Sequence, residues 1–471
     1  MSSAVRAIPH YRPTQASLGR ALAWLLALAY LVACAILLLL APPLAVLAQG
    51  VLIVGLYLCW RWPVGVIAVI LVLAPFQPLP TMIAKVAGLD WAVAVSSLKE
   101  LGLLTAVAVL AWRARPKLGP LDFILGTLLG WAIFVSIIRP NPDTLISLKD
   151  DFEFVLAFWA GRLIVLRGSW VRVGLWTAGV VALLGLIEFF IVGPEPRMLL
   201  MGVTDAQDLG YSFQADSFSG MRAASTLASP LEFGAFCTLG LLVFAAFHDR
   251  LGKKYLILAL LLALGVLVSI TRMAWVGAAL GLVLVAYRQR RLMHLAVIGL
   301  ITVPVLMATL VPYLDLNDYI ARTIARTDVS EQGHVASLAE KSAYVLTHPL
   351  GNGAGSVGPR AAARNSKAIE VESAFLMFGI AYGWPGFLLF SGFYVTVALT
   401  LVRKQSILGL AAAAVAVAMV FMLGVSPIHV EFPLNSWAWM LFGSAIAEPV
   451  ARWGWRFPKR SLPPMSLIAT A

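Results

Sequence analysis

Long apolar runs separated by short polar breaks dominate this chain. Runs near span length fall at 21–41, 43–59, 63–83, 98–112, 120–138, 150–166, 172–192, 224–247, 254–270, 273–287, 293–313, 372–401, 407–427 and 435–449. Crossing the hydrocarbon of a bilayer takes roughly 20 apolar residues in a helix. Runs this long and continuous satisfy their backbone polar groups internally as helices, not as barrel strands. The pattern predicts an all-α polytopic membrane protein with about 12–14 transmembrane helices and a large outer loop containing short helices. The first run, from about Ala21 to Leu40, is too long for a signal-peptide core and has no convincing cleavage site. It therefore reads as a retained first span.

The polar breaks alternate in charge. With the N-terminus inside, the inner segments are 1–20, the turn at Arg61, "RARPK" (113–117), "RLIVLRGSWVR" (162–172), "HDRLGKK" (248–254), "YRQRRLMH" (287–294), "VRKQ" (402–405) and the tail "ARWGWRFPKR" (451–460). Nearly all are rich in Lys and Arg. The outer segments are 139–151, 193–223, the turn at Arg272, 314–371 and "SPIHVEFPLN" (426–435), which are mixed or acidic. An even span count with both termini cytoplasmic satisfies the positive-inside rule throughout.

Composition agrees. The chain of 471 residues is 61% hydrophobic and only 12% charged, where a soluble domain carries about a quarter. Its net charge of +12 does not indicate nucleic acid, because the basic residues punctuate the apolar runs instead of forming one polar patch. Cys34, Cys59 and Cys237 lie in apolar segments without metal-ligand spacing and read as small buried hydrophobes.

Candidate chemistry gathers in three stretches. In "SGMRAASTLASPLEFGAF" (219–236), Arg222 enters a span at its outer end, with Ser225, Thr226, Ser229 and Glu232 following on helical spacing. An interfacial anchor whose head snorkels to water is the plain alternative, but a lipid-facing anchor needs no run of small and hydroxyl residues. In "SITRMAW" (269–275), Arg272 is the only full charge between Lys254 and Arg288. An arginine at mid-membrane costs at least about 2.5–3.5 kcal/mol. The alternation places it instead at the outer mouth of a tight turn. There it either caps the carbonyls of the preceding helix or clamps an anion, since guanidinium binds phosphate oxygens bidentately and keeps its charge.

The third stretch is 321–375. Asp328, Ser330 and Glu331 can begin a helix running from about Gly333 to Thr347, stopped by "HPLGNG". His334, Lys341 and His348 recur every seven residues and would share one helix face, which could equally face water. "GNGAGSVG" reads as a mobile glycine-rich loop; no Gly-Lys-Ser/Thr follows, so it is not a Walker A loop. Arg360, Arg364 and Lys367 add positive charge, and Arg360 and Arg364 are further candidates for binding an anionic group. Glu370 and Glu372 precede the next span. The sequence contains no zinc motif, dinucleotide fingerprint, nucleophile elbow or outer Asp-x-Asp. No metal or cofactor is expected, and cationic side chains are left to do the phosphate work.

Taken in order, these stretches resemble the O-antigen ligase and O-antigen polymerase superfamily of bacterial inner-membrane glycosyltransferases. The resemblance lies in "MRAASTLASPLEFGAF", then "SITRMAW" at a tight outer turn, then the His-bearing loop running into "HPLGNGAGSVG", and then "VESAFLMFGIAYGWPG". It covers roughly 205–445, with residues 1–200 matching only as a row of spans in a single integral membrane domain. It implies transfer of a glycan from an undecaprenyl diphosphate carrier to an acceptor hydroxyl at the periplasmic face. The acceptor would be lipid A–core or another lipid-linked repeat unit. By motif, the diphosphate-binding arginines are Arg222 and Arg272, and the loop histidine is His334. Thr271 stands where the family often has Ser before the arginine, and Glu372-Ser373 stand where His-Asn is often found, so the acceptor is left open.

The resulting expectation is an inverting, metal-independent transfer. Arg222 and Arg272 stabilise the leaving diphosphate, His334 or Glu372 takes the acceptor's proton, and loop 314–371 covers the sugar. The expected partners are the lipid-linked donor, the acceptor glycan and the bilayer. The rival class is a transporter or flippase of lipid-linked oligosaccharide. It predicts charges deep in several spans, whereas the candidate residues here lie on one side.

Overall fold

In the computed structural model, the described residues are 53–86, 98–164, 166, 168–193, 196–197, 222–290, 329–362 and 364–447. The chain divides into two compact units, Met1–Pro63 and Val64–Ala471. The first is described only at its end, where helix α1 spans Ile53–Arg61. The expected spans at 21–41 and 293–313 lie outside the described residues.

Among the described residues the helices that follow are α2 (Pro63–Leu73), α3 (Pro78–Val86), α4 (Leu98–Ala114), α5 (Pro120–Ile138), α6 (Thr144–Leu163), α7 (Gly168–Ile187), α8 (Pro230–Phe247), α9 (Leu256–Val268), α10 (Arg272–Arg288), α11 (Val329–Thr347), the single turn α12 (Pro359–Ala362), α13 (Ala374–Val402), α14 (Ile407–Val425) and α15 (Phe432–Ala447). Five of these, α5, α7, α8, α13 and α14, are long and apolar enough to cross a membrane, α7 and α8 with the turns that continue them. The protein is an all-α polytopic membrane protein.

Several boundaries depart from the apolar pattern. The expected span 63–83 is broken after Leu73, because Pro75 and Pro78 offer no N–H to continue the helical ladder; Pro80 is tolerated in the first turn of α3. The helix expected from 150 begins at Thr144, so the polar "KDD" lies inside α6, not before it. Residues 222–229 are not helical; α8 starts at Pro230 with Ser229 as its N-cap, whose hydroxyl accepts from Glu232 N at 3.2 Å. The helix at 372–401 is present as α13, but it is kinked at Gly383 and Pro385.

The core is aromatic. Phe154 and Phe158 of α6, Phe378, Phe390, Phe393 and Tyr394 of α13, and Trp439 and Phe442 of α15 are almost completely buried. Trp439 lies 4.9 Å from Phe154 and stacks on Phe393 at 5.2 Å, and Phe378 stacks on Phe390 at 3.7 Å between ring centroids. Small residues let α6 and α15 touch backbone to backbone. A Cβ on Gly161 would strike the Met440 carbonyl, and one on Gly443 the Phe158 carbonyl.

The connections gather at two opposite ends of this unit. At one end Arg162 pairs with Asp122, Leu166 N donates to Ser444 Oγ at 2.7 Å, Lys404 Nζ to Ile446 O at 3.3 Å and Gln289 Nε2 to Ala246 O at 2.8 Å, while Arg288 reaches Val402 O. These are the connections read as inner. The described parts of the segments read as outer (139–151, 193–223, the turn at Arg272, 314–371 and 426–435) meet at the other end, where Ala223 N donates to Val268 O, Asn141 Nδ2 to Gly355 O, and Arg360 lies beside Glu431.

Candidate functional site

The outer end is built on two braced segments and a packed loop. The first brace joins the two arginine motifs, about fifty residues apart in sequence. Ala223 N donates to Val268 O at 3.2 Å, and Thr271 Oγ1 lies between two carbonyl acceptors, Ser269 O at 2.9 Å and Pro230 O at 3.3 Å. Ser269 Oγ donates to Val266 O at 2.7 Å and lies beside Gly234, where a Cβ would come within 2.6 Å of Ser269 Oγ. Arg222 therefore sits just before one half of the brace. Arg272 opens α10 just after the other, and both are half-buried. As expected, Arg272 is at a tight turn between two short helices. It stands at the N-terminus of α10, so it does not extend the preceding helix.

Residues 222–229 are held from the side as well. The apolar α7 ends in a wider π turn, Glu188–Val192. Glu188 Oε2 accepts Ala224 N at 2.9 Å and also Ser225 N, and its Oε1 accepts Arg197 Nη2 at 2.9 Å. Arg197, only 3% exposed, donates in turn to Leu227 O at 3.1 Å and to Ser225 O. Ser225 Oγ reaches Val181 O and Thr226 Oγ1 reaches Pro75 O, each at 2.7 Å. The hydroxyls of this stretch thus serve a non-helical turn, closed by Leu227 N to Ala224 O at 3.1 Å, not one helix face. The sequence reading missed Glu188 and Arg197. Glu188 carries the same signal that singled out Arg272, being the only charge between Arg172 and Glu195.

The glycine-rich stretch is packed against the bundle, contrary to a mobile loop. Gly351, Gly353, Gly355 and Gly358 all have positive φ, from 71° to 98°. Proline 385 has no N–H, and Gly383 turns the chain away, so α13 leaves carbonyls open at its kink. Asn352 N fills Ile380 O at 2.9 Å and Gly353 N fills Ala381 O at 2.8 Å. Trp384 N bonds Pro349 O at 2.9 Å, and Trp131 Nε1 takes Tyr382 O at 2.7 Å. Asn141 Nδ2 reaches Gly355 O at 3.3 Å, so the loop also rests on the α5–α6 connection.

Arg360 and Arg364 follow, and both face carboxylates. Arg360 lies 3.3 Å from Asp150 and 3.5 Å from Glu431; Arg364 lies 3.3 Å from Asp150 and 3.1 Å from Ser147 Oγ. Partial burial opposes the charge of Arg360, but Glu431, Glu153, Asp150 and Glu232 around it outweigh that and raise its pKa above the ordinary arginine value. Lys149 joins at 3.0 Å from Asp150. Behind them Tyr382 donates to Asp151 at 2.5 Å. In this arrangement the two arginines tie the loop to α6 and to the turn before α15. Sequence reading had "KDD" as loop charge and did not find Asp150, Asp151 or Glu431 as partners. The arginine and tyrosine partners of Asp150 and Asp151 lie more than two hundred residues away, and Glu431 meets Arg360 71 residues away.

The remaining candidates are placed as follows. His334 belongs to α11, but its side chain lies outside the described residues. Lys341 pairs with Glu340 at 2.8 Å. His348 is beyond the helix end rather than on its stripe: it precedes Pro349, which disfavours helical backbone there. Its ring stacks on Tyr344 at 3.9 Å, and its Nδ1 lies 3.0 Å from Tyr344 O. Glu372 is half-buried, one residue before Ser373, the N-cap of α13. The structure thus brings the Arg222 and Arg272 segments together. It gathers Arg360 and Arg364 with acidic partners at the same end of the unit. No family model matches this chain, and no curated protein matches it at a significant level.

Proposed function

We propose that this protein is a membrane glycosyltransferase. It moves a glycan from an undecaprenyl diphosphate carrier to an acceptor hydroxyl, in polymerisation or ligation of a surface polysaccharide. The observation that carries the reading is the hydrogen-bonded pairing of the two arginine motifs at the end of the bundle that also holds the 329–372 loop. The resemblance of those same motifs to the O-antigen ligase and polymerase superfamily supports it. By the positive-inside rule the basic end faces the cytoplasm and the arginine end the periplasm of a bacterial inner membrane.

In the reaction the acceptor oxygen attacks the anomeric carbon of the donor sugar from the face opposite the carrier. The bond from that carbon to the phosphate oxygen breaks, the configuration inverts, and the carrier diphosphate leaves. Arg222 and Arg272 bind the diphosphate and stabilise the negative charge that grows on it. His334 or Glu372 receives the proton of the acceptor hydroxyl. The loop over the site keeps out water, which would otherwise hydrolyse the carrier linkage. The test is Arg272→Ala and Arg222→Lys, each as the sole copy in cells. Loss of the polymer with unchanged membrane abundance is expected. Normal glycan from both variants sinks the reading. The products of a deletion strain separate the two acceptors. Single repeats on lipid A mark a polymerase, and accumulated lipid-linked polymer mark a ligase.

A further inference from the structure

Among the described residues, two other than glycine adopt left-handed backbone at this end of the unit, Ser225 at φ 59° and Ile270 at φ 48°. A β-branched residue in that region is a genuine outlier, and such strain persists only where the surroundings over-determine it. Each stands within three residues of a candidate arginine, Ser225 after Arg222 and Ile270 before Arg272. At Ser225 the cause is visible. Glu188 Oε2 draws the N–H groups of Ala224 and Ser225 to one side, and Arg197 draws the carbonyls of Ser225 and Leu227 to the same side. Glu188 is itself aimed by a π turn, a feature that recurs at functional sites. An ion pair with a buried member, as here where Arg197 is buried and Glu188 partly so, is a poor way to gain stability, since well-packed apolar residues often do as well or better. It is an effective way to fix a backbone, because a carboxylate and a guanidinium together can hold four peptide groups in one orientation.

We propose that Glu188 and Arg197 are a positioning pair: they set the backbone of 223–227 so that Arg222 presents its guanidinium to the diphosphate of a lipid carrier. Neither touches the diphosphate. This rests on the glycosyltransferase reading, and it goes beyond that reading by assigning two residues outside the motifs that suggested it. Arg222 is the working group, and the pair acts only through it.

The test is a double-mutant cycle on the full-length protein in nanodiscs, with undecaprenyl diphosphate as the probe and uncharged undecaprenol as the control. Glu188→Gln is expected to weaken undecaprenyl diphosphate binding at least tenfold and leave undecaprenol binding unchanged. In the Arg222→Ala background, Glu188→Gln is expected to have no further effect. A merely structural role would weaken binding equally in both backgrounds, and that result overturns the proposal. So does wild-type binding by Glu188→Gln when Arg222→Ala has lost it. Should Glu188→Gln fail to fold, Arg197→Lys, which keeps the charge but not the fork geometry, is read in the same cycle. An Arg222→Ala variant that binds like wild type, or a wild type that does not bind, overturns the glycosyltransferase reading itself and this proposal with it.

Discussion

Replacing Gly383 by alanine tests the joint between α13 and the glycine-rich loop. Gly383 has φ 69° and ψ −166°, a region open essentially to glycine alone. Forcing alanine into it costs about 1–3 kcal/mol. The new Cβ would also meet the Pro349 carbonyl oxygen and lie 2.6 Å from the Leu350 carbonyl carbon. These are backbone atoms, so no side-chain rotation relieves the clash. The loop must move, and with it go Asn352 N to Ile380 O, Gly353 N to Ala381 O and Trp384 N to Pro349 O. At about 1 kcal/mol each, the three bonds bring the total to about 4–6 kcal/mol. The assay is thermal unfolding in detergent, followed with a thiol-reactive dye that reports exposure of the buried Cys237. Gly392 of the same helix is the control, since a Cβ there meets nothing within 4 Å. Gly392→Ala should be neutral or slightly stabilising, by up to about 1 kcal/mol. The reasoning fails if Gly383→Ala melts with the wild type.

Two further outcomes follow from the packing. Asp150→Asn removes the charge shared by Lys149, Arg360 and Arg364. Because those cations are about one-third exposed, the loss should be about 1–3 kcal/mol, and trypsin should cut faster at Arg360 and Arg364; an unchanged cleavage rate argues against the tie. Gly161→Leu should push α6 off α15, since even a Cβ would lie 2.8 Å from the Met440 carbonyl carbon, and should sharply reduce folded yield. Gly130→Leu, with nothing within 4 Å of its Cβ, should leave the yield unchanged.

The apolar periodicity by itself determined the class of protein. Burying uninterrupted apolar runs in lipid leaves the backbone no choice but helix, so α5, α9, α10 and α14 appear close to where the runs fall. It also placed Arg272 at a tight turn and sorted the connections into two sets, whose described members meet at opposite ends of the second unit. What it could not settle were the places where polar groups find partners far along the chain. "KDD" looked like a loop because its charges suggested water, yet Asp150 is buried against Arg360 and Arg364. The hydroxyls after Arg222 looked like a helix face because their spacing allowed it. Only the folded chain showed that Glu188 and Arg197 compete for that backbone and win. Hydrophobic burial is read locally, residue by residue. Hydrogen bonds and ion pairs are agreements between distant segments, and tertiary structure alone decides which are made.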